Sequence, residues 1–224
     1  MTDIGERLGD VPLVAILRAP DPARFLPVVE VLYHCGMRAV EITLTTAGAV
    51  ECIQELRSSM PSDLLVGAGS LRSSSDLLAA HDAGAQFVVS QFASVELRDA
   101  ADALGVDYIP GALTPTEVAL CRAAGAAVVK LSPVGPVGGI AYLVELLAPM
   151  PDARIFVTGG VKVDDIVGYV DAGAAVVGLS RDLLRDALSP DGDLAALAGR
   201  ARTAVDAVMT RSLSSRHAEA EVGL

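Results

Sequence analysis

One phrase recurs along this chain and restricts its fold more than any other feature. A helical stretch ends at a small residue and a glycine, and a short apolar strand follows at once. The phrase reads HCGMRAVEITL at 34–44, DAGAQFVVS at 82–90, ALGVDYIPG at 103–111, AAGAAVVKLSP at 123–133 and DAGAAVVGLS at 171–180. Gly36, Gly84, Gly105, Gly125 and Gly173 stand just past each helix, where a left-handed backbone ends a helix at little cost. Each phrase is therefore the helix-to-strand half of a repeating unit.

Between the phrases lie VPLVAILR at 11–18, LLVGAGS at 64–70 and RIFVTGG at 154–160, strand-like runs ending in glycine or a polar residue. In chain order this gives eight strands, near 11–17, 39–44, 64–69, 87–90, 107–111, 126–131, 154–158 and 174–179, all separated by helical segments. TPTE at 114–117 opens one such helix, with Thr114 as cap, Pro115 in the first turn and Glu117 completing a capping box. Eight alternating units in 224 residues predict an α/β fold, a (β/α)8 TIM barrel, with a flavodoxin-like open sheet as the alternative. No linker or composition break divides the chain, so residues 1–224 read as a single domain. The run 194–211 reads as a final helix and 212–224 as a loosely ordered tail.

Composition narrows the partners. A hydrophobic fraction of 52% without tryptophan suits a core of Ala, Val and Leu, as in a parallel sheet wrapped by helices. A net charge of −11 disfavours general attraction to nucleic acid or anionic lipid, so an anionic substrate needs a local site. Cys35, Cys52 and Cys121 have no metal or disulfide spacing and fit a reducing compartment. His34, His81 and His217 are scattered, which argues against a His/Cys metal site. The first ten residues are polar and no apolar run approaches membrane-spanning length, so a cytoplasmic chain without membrane contact is expected.

Against this background AAVVKLSP at 126–133 is odd, because a lysine interrupts an apolar strand. Lys130 and Lys162 are the only lysines, the rest of the 17 basic residues being arginine. Strand alternation puts Ala126, Val128, Lys130 and Ser132 on one face and Ala127, Val129 and Leu131 on the other. In AVEITL the same rule turns Val40, Ile42 and Leu44 outward and Glu41 and Thr43 inward. The second and sixth strands of an eight-membered ring lie opposite each other, so Lys130 and Glu41 are expected to face across the barrel. A structural ion pair is one reading, although such a pair is weak evidence for stability. The other is that Lys130 is a nucleophile toward a carbonyl and Glu41 a proton carrier.

VTGGV follows the seventh strand and GLSRD the eighth, where barrels of this kind commonly bind phosphate through backbone amides. Gly159, Gly160 and Ser180 are the candidates, with Arg181 able to add charge; tight turns without a ligand are the alternative. GAGS, ending at Ser70, is no nucleotide-binding pattern, and its small residues are expected to leave room for a ligand.

VAILRA, VEITLT, VGAGS, IPGALTPTE, VVKLSP, VTGGV and GLSRDLL occur in an order and spacing that resembles the 2-keto-3-deoxy-6-phosphogluconate/4-hydroxy-2-oxoglutarate aldolases, phosphogalactonate enzymes included, over about residues 11–185. The resemblance implies a class I aldolase that cleaves a 2-keto-3-deoxy-6-phospho sugar acid to pyruvate and glyceraldehyde 3-phosphate. It implies that Lys130 forms an imine, that Glu41 moves protons, and that no metal or other cofactor takes part. By the same resemblance Ser70 stands near the pyruvate carboxylate, Gly159, Gly160 and Ser180 fall on the phosphate positions with Thr158 beside them among the substrate-binding residues, and the assembly is a homotrimer. Two departures stand out. Thr45 occupies the place of a carboxylate-binding arginine, with Arg18 able to supply the charge as in the galactonate branch. Ser132 replaces an aromatic residue that walls the site. The alternatives are an aldolase for 4-hydroxy-2-oxoglutarate or another pyruvate aldol, and a barrel or synthase that binds a phosphorylated ligand without imine chemistry.

Overall fold

All five phrase glycines take left-handed backbone, with φ of 99° at Gly36, 92° at Gly84, 66° at Gly105, 91° at Gly125 and 97° at Gly173, in the computed structural model, which describes residues 3–222 and their side chains as far as residue 214. Turned at these points, the chain alternates. The first half runs α1 Ile4–Leu8, β1 Leu13–Leu17, α2 Phe25–His34, β2 Ala39–Thr43, α3 Ala49–Ser59, β3 Leu65–Leu71, α4 Ser74–Asp82, β4 Phe87–Ser90 and α5 Val95–Leu104. The second half runs β5 Asp107–Ile109, β6 Gly111–Ala112, α6 Pro115–Ala123, β7 Val129–Leu131, α7 Ile140–Leu147, β8 Ile155–Val157, α8 Ile166–Asp171, β9 Ala174–Leu179, α9 Arg181–Leu184 and α10 Leu194–Val222. The capping box expected at Thr114 and Glu117 is present at the head of α6.

The strand segments of the described residues form one sheet in the order β5-β4-β3-β2-β1-β9-β8-β7-β6, and every pairing in it is parallel. Its two ends, β5 and β6, are consecutive pieces of one strand on either side of Pro110. Proline has no amide hydrogen for the ladder, so the strand expected over 107–111 is split, while the Pro110 carbonyl still accepts from Lys130 N at 2.9 Å. The ring thereby meets itself, and the fold is a (β/α)8 barrel.

Alternation sorts the apolar side chains into two layers. Val40, Ile42, Val129 and Leu131 point outward and pack with Phe25, Leu32, Ile53 and Leu143 of the surrounding helices. Val14, Ala39, Leu65, Phe87, Val128 and Phe156 fill the barrel centre, and Ile4 and Leu8 of α1 join them from below. Helix α1 is pinned there at the strands' N-terminal ends. Asp3 pairs with Arg154 at 2.6 Å just before β8, and Arg7 pairs with Asp107 at 3.2 Å at the start of β5. Each large apolar side chain buried this way contributes about 1.5–3 kcal/mol relative to exposure.

Helix α10 does not stop at 211. The sequence from Thr210 to Val222 contains neither glycine nor proline, so nothing in it breaks a helix, and Ser212 Oγ bonds Asp10 Oδ1 at 2.8 Å. The expected tail thus begins as helix, while side chains from residue 215 onward and residues 223–224 lie outside the described residues. Cys52 and Cys121 are buried and Cys35 half-buried, all three unpaired, and burial pushes the Cys52 thiol up to about 11. Among the described residues no helix is long and apolar enough to cross a membrane.

Candidate active site

Three strand positions separate β2 from β7 whichever way the ring is followed, so their inward residues meet across the centre. Lys130 Nζ lies 4.0 Å from Glu41 Oε1, with the two side chains only 6% and 1% exposed. That distance is attraction without a direct hydrogen bond. Glu41 Oε2 is buried and has no hydrogen-bond partner among the described residues. A buried oxygen without a partner is costly and marks a place for a substrate hydroxyl or a water. Burial pushes the Glu41 carboxyl above the usual carboxylate range, while the Lys130 and Arg18 cations pull the other way.

The glycines of VGAGS give Glu41 its room. A β-carbon on Gly69 would run into the Glu41 carboxylate, and one on Gly67 into the ring of Phe87. Beyond Gly69 the β3–β4 register shifts, and Ser70 takes a left-handed φ of 63°. Its Oγ accepts a hydrogen bond from Arg18 Nη2 at 3.1 Å, joining the end of β1 to the end of β3. Thr45 is turned elsewhere, its hydroxyl donating to Thr43 Oγ1 at 3.3 Å while Thr43 Oγ1 donates to the Leu17 carbonyl at 3.1 Å. Of the two residues, Arg18 therefore supplies the cation at this side of the cavity.

On the opposite side the loop after β8 is laced to the loop after β7. Val134 N donates to the Thr158 carbonyl at 2.9 Å and Gly135 N to the Gly159 carbonyl at 2.8 Å. Gly159 and Gly160 have φ of 84° and 91°, which side chains rarely adopt, and a β-carbon on Gly159 would come within 2.7 Å of Pro133 Cα. Ser180 closes this wall as the cap residue before the short α9.

One cavity of about 790 Å³ joins the two sides, lined by Arg18, Glu41, Lys130, Thr158, Gly159, Gly160 and Ser180. Of the residues singled out from sequence, Ser70 and Thr45 are not in its wall; Ser70 meets the wall through its hydrogen bond with Arg18, and Thr45 bonds back to Thr43. Five cations, Arg18, Lys130, Lys162, Arg181 and Arg185, line it against two acids, Glu41 and Asp182, a local positive excess in a chain of net charge −11. Gln91, Lys162 and Arg185 were not anticipated. Gln91 was legible in part, since it directly follows β4 at the strand's C-terminal end; Arg185, with a left-handed φ of 46°, gave no sequence signal. Among the described residues no group of three or more His, Cys, Asp and Glu is placed to hold a metal ion.

The family model described as KDPG and KHG aldolase matches residues 4–198. A 2-dehydro-3-deoxy-phosphogluconate aldolase of Treponema pallidum (strain Nichols) is 33% identical over 165 residues, spanning 74% of this chain and 77% of the relative. A 2-dehydro-3-deoxy-6-phosphogalactonate aldolase of Escherichia coli (strain K12) is 32% identical over 176 residues, spanning 78% and 85%. A solved 4-hydroxy-2-oxoglutarate/2-dehydro-3-deoxyphosphogluconate aldolase superposes with a TM-score of 0.81 at 33% identity, covering 93% of this chain and all of that one.

Proposed function

Since this chain belongs to the KDPG and KHG aldolase family, and so to the aldolases, we propose that it works by imine chemistry on a 2-keto-3-deoxy-6-phospho sugar acid, releasing pyruvate and glyceraldehyde 3-phosphate. The observation that carries the reading is the desolvated Lys130–Glu41 pair, 4.0 Å apart, in a cavity whose far wall is built from glycine turns and cations.

Lys130 Nζ attacks the C2 ketone, and loss of water leaves a protonated imine. Glu41 takes the proton of the C4 hydroxyl as the C3–C4 bond breaks. The bonding electrons move toward the imine nitrogen, giving an enamine and the free aldehyde. Protonation of the enamine at C3 and hydrolysis by water then release pyruvate and restore the amine. Arg18, held by Ser70, pairs with the C1 carboxylate; Thr158, Gly159, Gly160 and Ser180 receive the phosphate, with Arg181 adding charge.

The test is incubation with pyruvate and borohydride followed by peptide mass analysis. Reduced pyruvate is expected on Lys130, and an unlabelled Lys130 under conditions that label a control aldolase would end the reading. A second reading, the phosphogalactonate epimer, is favoured by Arg18 standing at the carboxylate side while Thr45 bonds back to Thr43; rates on the two epimers decide between them. The proposed assembly is a homotrimer. Half-exposed apolar side chains such as Leu78, Phe92, Val95 and Leu120 supply surface for it, and light scattering gives the mass.

A further inference from the structure

Ser132 follows Lys130 by two residues on the same face, about 7 Å further toward the strand's C-terminal end. It lines the cavity and is 9% exposed. Its backbone is fastened on both sides, the amide donating to the Ala112 carbonyl at 3.1 Å and the carbonyl accepting from Gln91 Nε2 at 3.1 Å. Its hydroxyl, by contrast, makes no hydrogen bond among the described residues. The hydroxyl lies against the glycine turn, since a β-carbon on Gly159 would be 3.1 Å from Ser132 Oγ.

A substrate with C2 on Lys130 and a terminal phosphate at Gly159–Gly160 must pass Ser132 between these two ends. Glu41 occupies the C4 hydroxyl during cleavage. The hydroxyl left to face Ser132, on the side nearer the phosphate, is the one on C5. We infer that Ser132 is a specificity-determining residue that hydrogen-bonds the hydroxyl on the carbon next to the phosphate-bearing carbon, so that the enzyme selects acceptor aldehydes hydroxylated beside the carbonyl. The phosphogluconate and phosphogalactonate substrates are epimers at C4, so the assignment is the same for both.

The inference rests on the imine reading above and is tested separately from it. In the direction of aldol addition, pyruvate is offered with glyceraldehyde 3-phosphate or with 3-phosphooxypropanal, which differs only in lacking the hydroxyl beside the carbonyl. The ratio of the two kcat/KM values is measured for the native chain, Ser132→Ala and Ser132→Thr. Because a pocket hydroxyl left without its partner penalises the deoxy compound, the ratio is expected to fall about 10-fold or more in Ser132→Ala and to be kept in Ser132→Thr. A ratio unchanged by Ser132→Ala overturns the role of Ser132 while borohydride labelling of Lys130 still stands; absence of labelling in the native chain overturns both.

Discussion

The barrel centre has two storeys that obey opposite rules. The lower one, around Val14, Ala39, Phe87 and Val128 with Ile4 and Leu8 beneath, is wholly apolar. One strand step higher the same faces carry Glu41 after Ala39 and Lys130 after Val128. Both storeys are buried, so burial alone does not select the residue type. The difference is that the upper storey opens into a cavity and the lower one is plugged by α1. Charge without a full set of partners persists where a ligand can complete it, and apolar packing fills the rest.

The contrast breaks most sharply if the upper storey is given the chemistry of the lower. Lys130→Met should abolish pyruvate labelling and lower turnover on the order of 10⁴-fold, while thermal melting still shows a folded chain because Glu41 can take up a proton and become neutral. The reverse change is Phe87→Ala. It should lower stability by about 3–5 kcal/mol in urea denaturation, yet leave the activity of the folded fraction close to native. Large loss of both quantities in either variant would erase the distinction.

Glu41→Gln sharpens the comparison within the upper storey. Imine trapping should persist while cleavage slows about 100-fold, as for loss of a general base. The raised carboxyl also has two pH signatures. Native turnover should fall as the pH drops through the raised value, because the base becomes protonated. Stability should move oppositely: the folded state holds the extra proton, so Glu41 contributes most below the ordinary carboxylate value of about 4.3 and that contribution fades as pH rises through the folded value. Denaturation midpoints across pH should lose this component in Glu41→Gln. The smallest effect is expected from Arg18→Ala at the cavity rim, about a 10-fold rise in KM with kcat little changed; unaltered kinetics would remove Arg18 from carboxylate binding.

Much of this was legible in the chain because periods of two and helix-ending glycines are local properties. Alternation alone turned Glu41 and Lys130 inward, and counting strands set them opposite each other. Features that depend on the tertiary path were not legible. The β3 register shift at Ser70 gives Arg18 its partner, but a shift arises from pairing, not from a residue type. Gly69 reads as a turn or ligand residue until the Glu41 carboxylate is seen against it. Arg185 reaches the cavity through a left-handed backbone after a four-residue helix, and the path of such a loop has no period to read. Pro110 divided a strand whose apolar pattern runs across it.

The plug formed by α1 closes the barrel beneath the cavity. In the proposed reaction the three-carbon keto acid is tethered at the back, on Lys130, and the phosphorylated aldehyde stands on the side of the glycine turns and cations. Departure is then a queue: the aldehyde leaves first, the tether is hydrolysed behind it, and the keto acid follows. Run backwards, the proposed reaction has the keto acid board before the aldehyde, an order that the tether imposes and that a floor taking no part in the chemistry leaves undisturbed.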